Sequence, residues 1–151
     1  MQKFFRLPIV LVFSFIIGMQ ITTLAGLQLY FIFRWNGIVA LLLFCAATFI
    51  VLIAAYQFKQ SNTTLDPRAP EKTSSLISQG IFGYSRNPIY LGFLVVLLAT
   101  AIYSCNIINL LFIPLFVWAA NQLYIIPEEK ALTQLFGDIY THYQHNVRRW
   151  I

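Results

Sequence analysis

An all-α, polytopic membrane protein with four transmembrane helices is the fold class this chain predicts, and three observations carry the prediction. Of its 151 residues, 59% are hydrophobic and 10% are charged, whereas a soluble domain of this length has about a quarter of its residues charged. The charges are missing from four stretches, Leu7–Phe33, Asn36–Gln57, Asn87–Ser104 and Cys105–Pro127. The basic residues, finally, gather almost entirely in the segments that four crossings would place on one side. This composition excludes a secreted disulfide scaffold, a disordered tail and a soluble dinucleotide-binding enzyme.

A crossing needs about 20 apolar residues to traverse roughly 30 Å of hydrocarbon at 1.5 Å per residue. The first span, expected at 7–33, exceeds that and must tilt or protrude. Lys3 and Arg6 before it resemble the start of a signal peptide, but the apolar run continues past a typical signal core and meets no small-x-small site, so it is read as a span. The second, at 38–57, fits. The third, at 88–104, is short: Pro88–Tyr103 measures about 24 Å at the same rise. The fourth, at 107–126, forms a helical hairpin with the third and contains Pro114, which predicts a kink. A cytosolic loop (58–86) and a cytosolic amphipathic helical tail (127–151) complete a single membrane domain over 1–151. In the tail, Leu132, Leu135, Phe136, Ile139, Tyr143 and Val147 recur at helical spacing, with Gly137-Asp138 placed to end one helix and begin another.

With four spans, both termini and the 58–86 loop share a side that holds nine of the ten Lys and Arg residues, Arg34 being the exception. The excess of positive charge places that side in the cytosol. The net charge of +5 is accounted for by orientation and by contacts with membrane lipids, and no nucleic-acid partner is expected. Cys45 and Cys105 should lie at different depths and remain unpaired. Inside the spans the only ionisable groups are tyrosines and Cys45, which argues against an ion-coupled carrier.

Polar character concentrates instead at the feet of the third and fourth spans. The first cluster runs Gly80-Ile81-Phe82-Gly83-Tyr84-Ser85-Arg86-Asn87-Pro88-Ile89-Tyr90-Leu91-Gly92. It reads as a helix start, with Asn87 as N-cap and Pro88 at the first helical position. A helix N-terminus beside an arginine is also a good carboxylate or phosphate site. The second cluster is Pro127-Glu128-Glu129-Lys130-Ala131-Leu132, again a helix start, with two carboxylates suited to an ammonium or to sugar hydroxyls. Asn121 and Gln122 precede Glu128 and Glu129 by seven residues and share their face if the helix runs on through Pro127. Whether Tyr140, Tyr143 and Arg148 line a pocket with these clusters is open at this point. His142 and His145 stand at i, i+3 without a third ligand nearby, and no metal site is expected.

Arg86-Asn87-Pro88-Ile89-Tyr90-Leu91-Gly92, an apolar hairpin, then Glu128-Glu129-Lys130-Ala131-Leu132 resembles the tripartite signature of integral-membrane methyltransferases. That superfamily includes isoprenylcysteine carboxyl methyltransferases and phospholipid N-methyltransferases. The similarity continues through Phe136-Gly137, Tyr140, Tyr143, Val147 and Arg148-Arg149-Trp150, covering about residues 62–151. One departure is Asn87 where the eukaryotic carboxyl methyltransferases carry His. Asn cannot become cationic, which bears on the acceptor more than on the cofactor.

The resemblance implies S-adenosylmethionine as methyl donor, bound at the cytosolic ends of the third and fourth spans under the tail. It implies Arg86, Asn87, Tyr90, Gly92, Glu128, Glu129, Tyr140 and Tyr143 as cofactor-binding residues and Arg86 and Glu129 as catalytic ones. Arg86 and the start of the third span suit the donor's carboxylate, and Glu128 and Glu129 its ammonium and ribose hydroxyls. Tyr90, Tyr140 or Tyr143 would wall the adenine, and Gly92 would let cofactor or backbone approach. Glu129 is expected to orient the acceptor or take a proton from an amine. The acceptor would be a prenylcysteine-type carboxylate or a phospholipid amine reached from the bilayer. No obligate protein partner is expected, and the location implied is a bacterial inner membrane, or the endoplasmic reticulum of a eukaryote. Two other readings stay open: an NADPH-dependent sterol-type reductase, and a four-span packing subunit or carrier without catalysis.

Overall fold

Proline, glycine and asparagine set most helix boundaries. In a computed structural model of the chain, residues 8–27, 29–31, 34–60 and 76–151 are described. They form α1 (Pro8–Leu24), α2 (Asn36–Gln60), a 3₁₀ turn (Gly80–Gly83), α3 (Pro88–Ser104), α4 (Ile107–Leu110), α5 (Phe112–Ala120), a π segment (Asn121–Ile125), α6 (Ile126–Phe136) and α7 (Asp138–Asn146). Lys3, Arg6, Arg68, Lys72 and much of the expected 58–86 loop lie outside the described residues.

Among the described residues, two helices are long and apolar enough to cross a membrane: α2, and the 30-residue run Ile107–Phe136 from α4 through α6. α1 and α3 are apolar but have 17 residues each, about 26 Å at 1.5 Å per residue. The first expected span is therefore corrected. The helix stops at Leu24, and Gly26 then turns the chain at φ +74°, a conformation that favours glycine. Leu29–Phe31 pairs instead with the turn after α3, through Phe31 N–H to the Cys105 carbonyl at 3.0 Å and Ile107 N–H to the Leu29 carbonyl at 2.9 Å.

α3 lies between the other long helices. α2 runs antiparallel along it, its N-terminal Asn36 side chain donating to the Tyr103 carbonyl and its C-terminal Gln57 accepting from Ile81 N–H just before α3. The contact is close because the buried residues of α2 are Ala40, Ala47 and Ala54, one every seven. Small residues let apolar helices approach where lipid supplies no hydrophobic drive. α1 packs on α3 and α5, with Phe15 edge-on to Phe112 and Phe116 and Met19, Leu97 and Phe116 fully buried. The outward faces stay apolar too: Phe13, Ile17, Leu41, Phe49 and Leu52 are each more than half exposed. Helices apolar all round belong in lipid or in a large core.

The end of the bundle where α1 stops and α3 passes into α4 is tied by two buried asparagines. Asn106 Oδ1 accepts from Leu29 N–H and Ile108 N–H, and its amide donates to the Leu27 carbonyl. Asn109 Oδ1 accepts from the Thr22 hydroxyl at 2.8 Å, and its amide donates to Ser104 Oγ at 2.8 Å. The Gly18–Thr22 face of α1 is thus used within the chain, with Gly18 pressed on the Phe112 ring. The fourth helix is interrupted at Leu111, with Pro114 the third residue of α5. The break falls where a proline ring would crowd the preceding turn.

Candidate functional site

The opposite end of the bundle gathers both motif clusters and the tail. Gly80, at φ +61°, leaves room that a Cβ would take from the Gln57 amide. Phe82 is buried edge-on to Phe58 at 4.9 Å, and its carbonyl accepts from the Tyr143 hydroxyl at 2.6 Å. Pro88 opens α3 as expected. Asn87 stands at the N-cap position of that helix, as expected, but its side chain makes no cap bond; its amide donates to the Arg149 carbonyl at 3.0 Å. Its backbone N–H is taken by Ser85 Oγ at 3.2 Å, while Arg86 N–H donates to the Arg148 carbonyl at 3.0 Å. Residues 148–149 therefore lie directly on the entrance to α3.

The helix does continue through Pro127, but in π register over Asn121–Ile125, with Ile126 N–H donating five residues back to the Asn121 carbonyl. Pro127 has no N–H for the usual bond to residue 123 and its ring crowds that carbonyl; a wider turn accommodates both. This alters the seven-residue relation between Asn121-Gln122 and Glu128-Glu129 that a regular helix would give. Asn121 Oδ1 accepts from the Trp150 indole at 3.3 Å.

Glu129, 8% exposed, is the hub. Its Oε1 receives Arg86 Nη2 at 3.2 Å and Arg149 Nε at 3.0 Å, and its Oε2 receives Arg149 Nη2 at 2.6 Å. Two guanidiniums thus engage both oxygens, an arrangement suited to anchoring more than to taking a proton. Arg86 is the incomplete member: its Nε and Nη1 are buried and have no partner among the described residues. A buried unpaired donor costs about 1–3 kcal/mol, more when charged, and two on one guanidinium are free to take up an anionic or carbonyl-bearing group or water.

Tyr140 and Tyr143 are buried with ring centroids 6.0 Å apart. Burial pushes the Tyr143 phenol up to about 12, with Arg86 opposing the shift. Burial, then the Glu129 charge, push the Tyr140 phenol up as well. Both stay protonated at neutral pH. The bond to Glu129 raises Arg149. Tyr90 is buried against Phe93 and Tyr124 at the start of α3. Glu128 is half-buried.

Gly92 lets the backbone of α2 approach, one of the two uses expected of it. A Cβ there would fall 2.5 Å from Val51 Cγ2 and 3.1 Å from the Ala47 carbonyl, so α2 occupies the space. The Arg148 side chain is exposed and only its carbonyl joins the site. Sequence reasoning missed Arg149 as a site residue. Its place in the Arg148-Arg149-Trp150 run was visible, but which arginine turns inward was not. Glu129 also borders an open groove of about 530 Å³ with Ile126, Lys130, Thr133, Gln134 and Gln144.

A helical bundle that joins Arg86-Asn87-Pro88 to Glu128-Glu129 at one end has the motif pair of a membrane methyltransferase class. The chain belongs to the phospholipid methyltransferase family, whose model matches residues 35–139. It is 31% identical over 117 residues to a protein-S-isoprenylcysteine O-methyltransferase of Schizosaccharomyces pombe, covering 78% of this chain and 50% of that protein. To protein-S-isoprenylcysteine O-methyltransferase B of Arabidopsis thaliana it is 32% identical over 77 residues, 51% of this chain and 39% of the relative. An uncharacterized protein of Haemophilus influenzae is 38% identical over 63 residues, which is 42% of this chain and the whole of that protein. The chain thus spans half or less of the length of these methyltransferase relatives. No solved structure matches. The family match includes Arg86 and Glu129 and stops before Tyr140, Tyr143 and Arg149.

Proposed function

We propose that this chain is an integral-membrane methyltransferase that uses S-adenosylmethionine to methylate a lipophilic acceptor held in the bilayer. In this reading it crosses the membrane four times, with α1 and α3 as the shorter crossings, and keeps both termini and the motif clusters in the cytosol. The supporting observation is the pair of buried, unpartnered N–H groups on Arg86 beside the N-terminus of α3. A carboxylate is the ligand chemistry that a guanidinium and a helix N-terminus both favour, and the methionyl end of the proposed donor carries one. The residues present therefore fit the group.

When bound, that donor supplies an activated methyl group on a sulfonium, transferred by in-line displacement. The chain's own part is binding, alignment and exclusion of water. Arg86 would donate to the carboxylate from Nε or from Nη1, its two free nitrogens. Glu128, half-buried and next to the anchored Glu129, is the carboxylate left for an ammonium or ribose hydroxyls. Because the Tyr143 hydroxyl is committed to the Phe82 carbonyl, Tyr143 offers its ring, and Tyr140 likewise offers an apolar wall for adenine. Asn87 pins the tail over the site and Gly92 seats α2 on α3, so neither is assigned a direct contact. Tyr90 lines the apolar floor at the start of α3. The names of the relatives and of the family support the acceptor class, a prenylcysteine-type carboxylate or a phospholipid amine. A carboxylate acceptor needs no base; an amine would lose its proton to water or to Glu128.

Calorimetry on detergent-purified protein tests this, with S-adenosylmethionine as ligand and NADPH as comparator. Micromolar binding of the first and none of the second is expected. Arg86→Lys keeps the charge opposite Glu129 but loses the fork, and should weaken binding by about tenfold or more. Absence of binding to the wild type would favour a packing subunit instead.

A further inference from the structure

Two guanidiniums compete for Glu129, and they share it unequally. Arg149 grips it with two nitrogens, at 3.0 and 2.6 Å, while Arg86 reaches it with Nη2 alone, at 3.2 Å. A carboxylate favours one planar guanidinium bidentately, and Glu129 has made that choice with the more exposed partner. The Arg149 side chain is 36% exposed against 10% for Arg86, so a bidentate pair with Arg86 would be the less screened of the two. Either fork of Arg86 that could form such a pair uses Nη2 together with Nε or Nη1. A full Glu129–Arg86 pair would therefore consume a donor that is now free. Arg149 is held in place independently of its side chain: the carbonyls of Arg148 and Arg149 accept from Arg86 N–H and the Asn87 amide, and Trp150 is bonded to Asn121.

We infer that Arg149 is a positioning residue: by occupying Glu129 bidentately it keeps that carboxylate off Arg86 and leaves both Nε and Nη1 open, so that either can donate to the cofactor's carboxylate. The inference rests on the proposed cofactor. It assigns Arg149 no contact with the donor or acceptor, only control over how much of Arg86 is available.

The test compares S-adenosylmethionine with its decarboxylated analogue, which keeps the ammonium, sulfonium and adenosine, by calorimetry on the full chain in detergent. Arg149→Gln should lower affinity for the first by about tenfold or more and leave the second within about twofold. Adding Glu129→Gln to Arg149→Gln removes the competing charge and should restore most of the lost affinity. Equal loss for both ligands, or no recovery in the double variant, would overturn the inference, since damage to the fold gives that pattern. A wild type that binds neither ligand would overturn the cofactor reading and this inference with it.

Discussion

At the end of the bundle where α3 passes into α4, Asn106 and Asn109 are buried with both their carbonyl oxygens and their amides bonded, to Leu27, Leu29, Ile108, Thr22 and Ser104. At the other end, Arg86 is buried with one nitrogen paired and two unpaired. Both ends bring together segments distant in sequence through polar side chains. The first is neutral and complete, which is what a joint requires: each group lost from water finds a partner. The second is charged and incomplete, and a structure tolerates that cost where a ligand relieves it. Polarity alone does not locate a site; unsatisfied polarity does.

The sharpest way to break this contrast is at Glu129. Glu129→Ala leaves Arg86 as an uncompensated buried charge, and removing one partner of a buried pair costs about 3–5 kcal/mol. The Arg149 half, more than a third exposed, adds little to that because solvent screens it. Thermal unfolding in detergent should show the full drop, and proteolysis should show the tail beyond α6 released first. A drop confined to a few tenths of a kcal/mol would mean that Arg86 is solvated and that its two free nitrogens carry no information.

The completed end predicts a smaller and different loss. Asn106→Ala strips the partner from two backbone N–H groups and one carbonyl, worth about 2–3 kcal/mol of stability. Affinity for S-adenosylmethionine should stay within about twofold, since nothing at that end reaches Arg86. Loss of binding at full stability would abolish the division between joint and site.

Much of this was legible in the chain. Pro88 opens a helix, Gly137 separates α6 from α7 at φ +53°, and the motif pair identified the family before any coordinates. What was not legible depended on partners far away in sequence. α1 ends at Leu24, Gly26 turns the chain, and Leu29–Phe31 then pairs strand-like with Cys105–Ile107, which no local apolar count registers. Asn87 takes the N-cap position its composition suggests, but the bond its amide makes to the tail could not be read from the sequence. Gly92 reads in its motif as a place for cofactor or backbone to approach, and only the fold shows that α2 is the backbone that does so. Arg149 was one of two adjacent arginines, and only the extended path of the tail selects which one turns toward Glu129.

Tyr143 provides the smallest test, because its hydroxyl belongs to the joint-like part of the charged end. Its phenol is held by the Phe82 carbonyl at 2.6 Å, and Tyr143→Phe should cost about 1 kcal/mol at neutral pH. The phenol titrates near 10 when free and at about 12 when docked, so the docked state keeps a proton that the released state has lost. Its contribution is complete below about pH 10 and declines as the pH rises through about 12. The stability difference between wild type and Tyr143→Phe, measured by thermal unfolding at pH 8 and again near pH 11, should therefore shrink at the higher pH. A difference that holds constant across that range would place the hydroxyl in water, and the tail would then owe its attachment to the arginine–glutamate cluster and Trp150 alone.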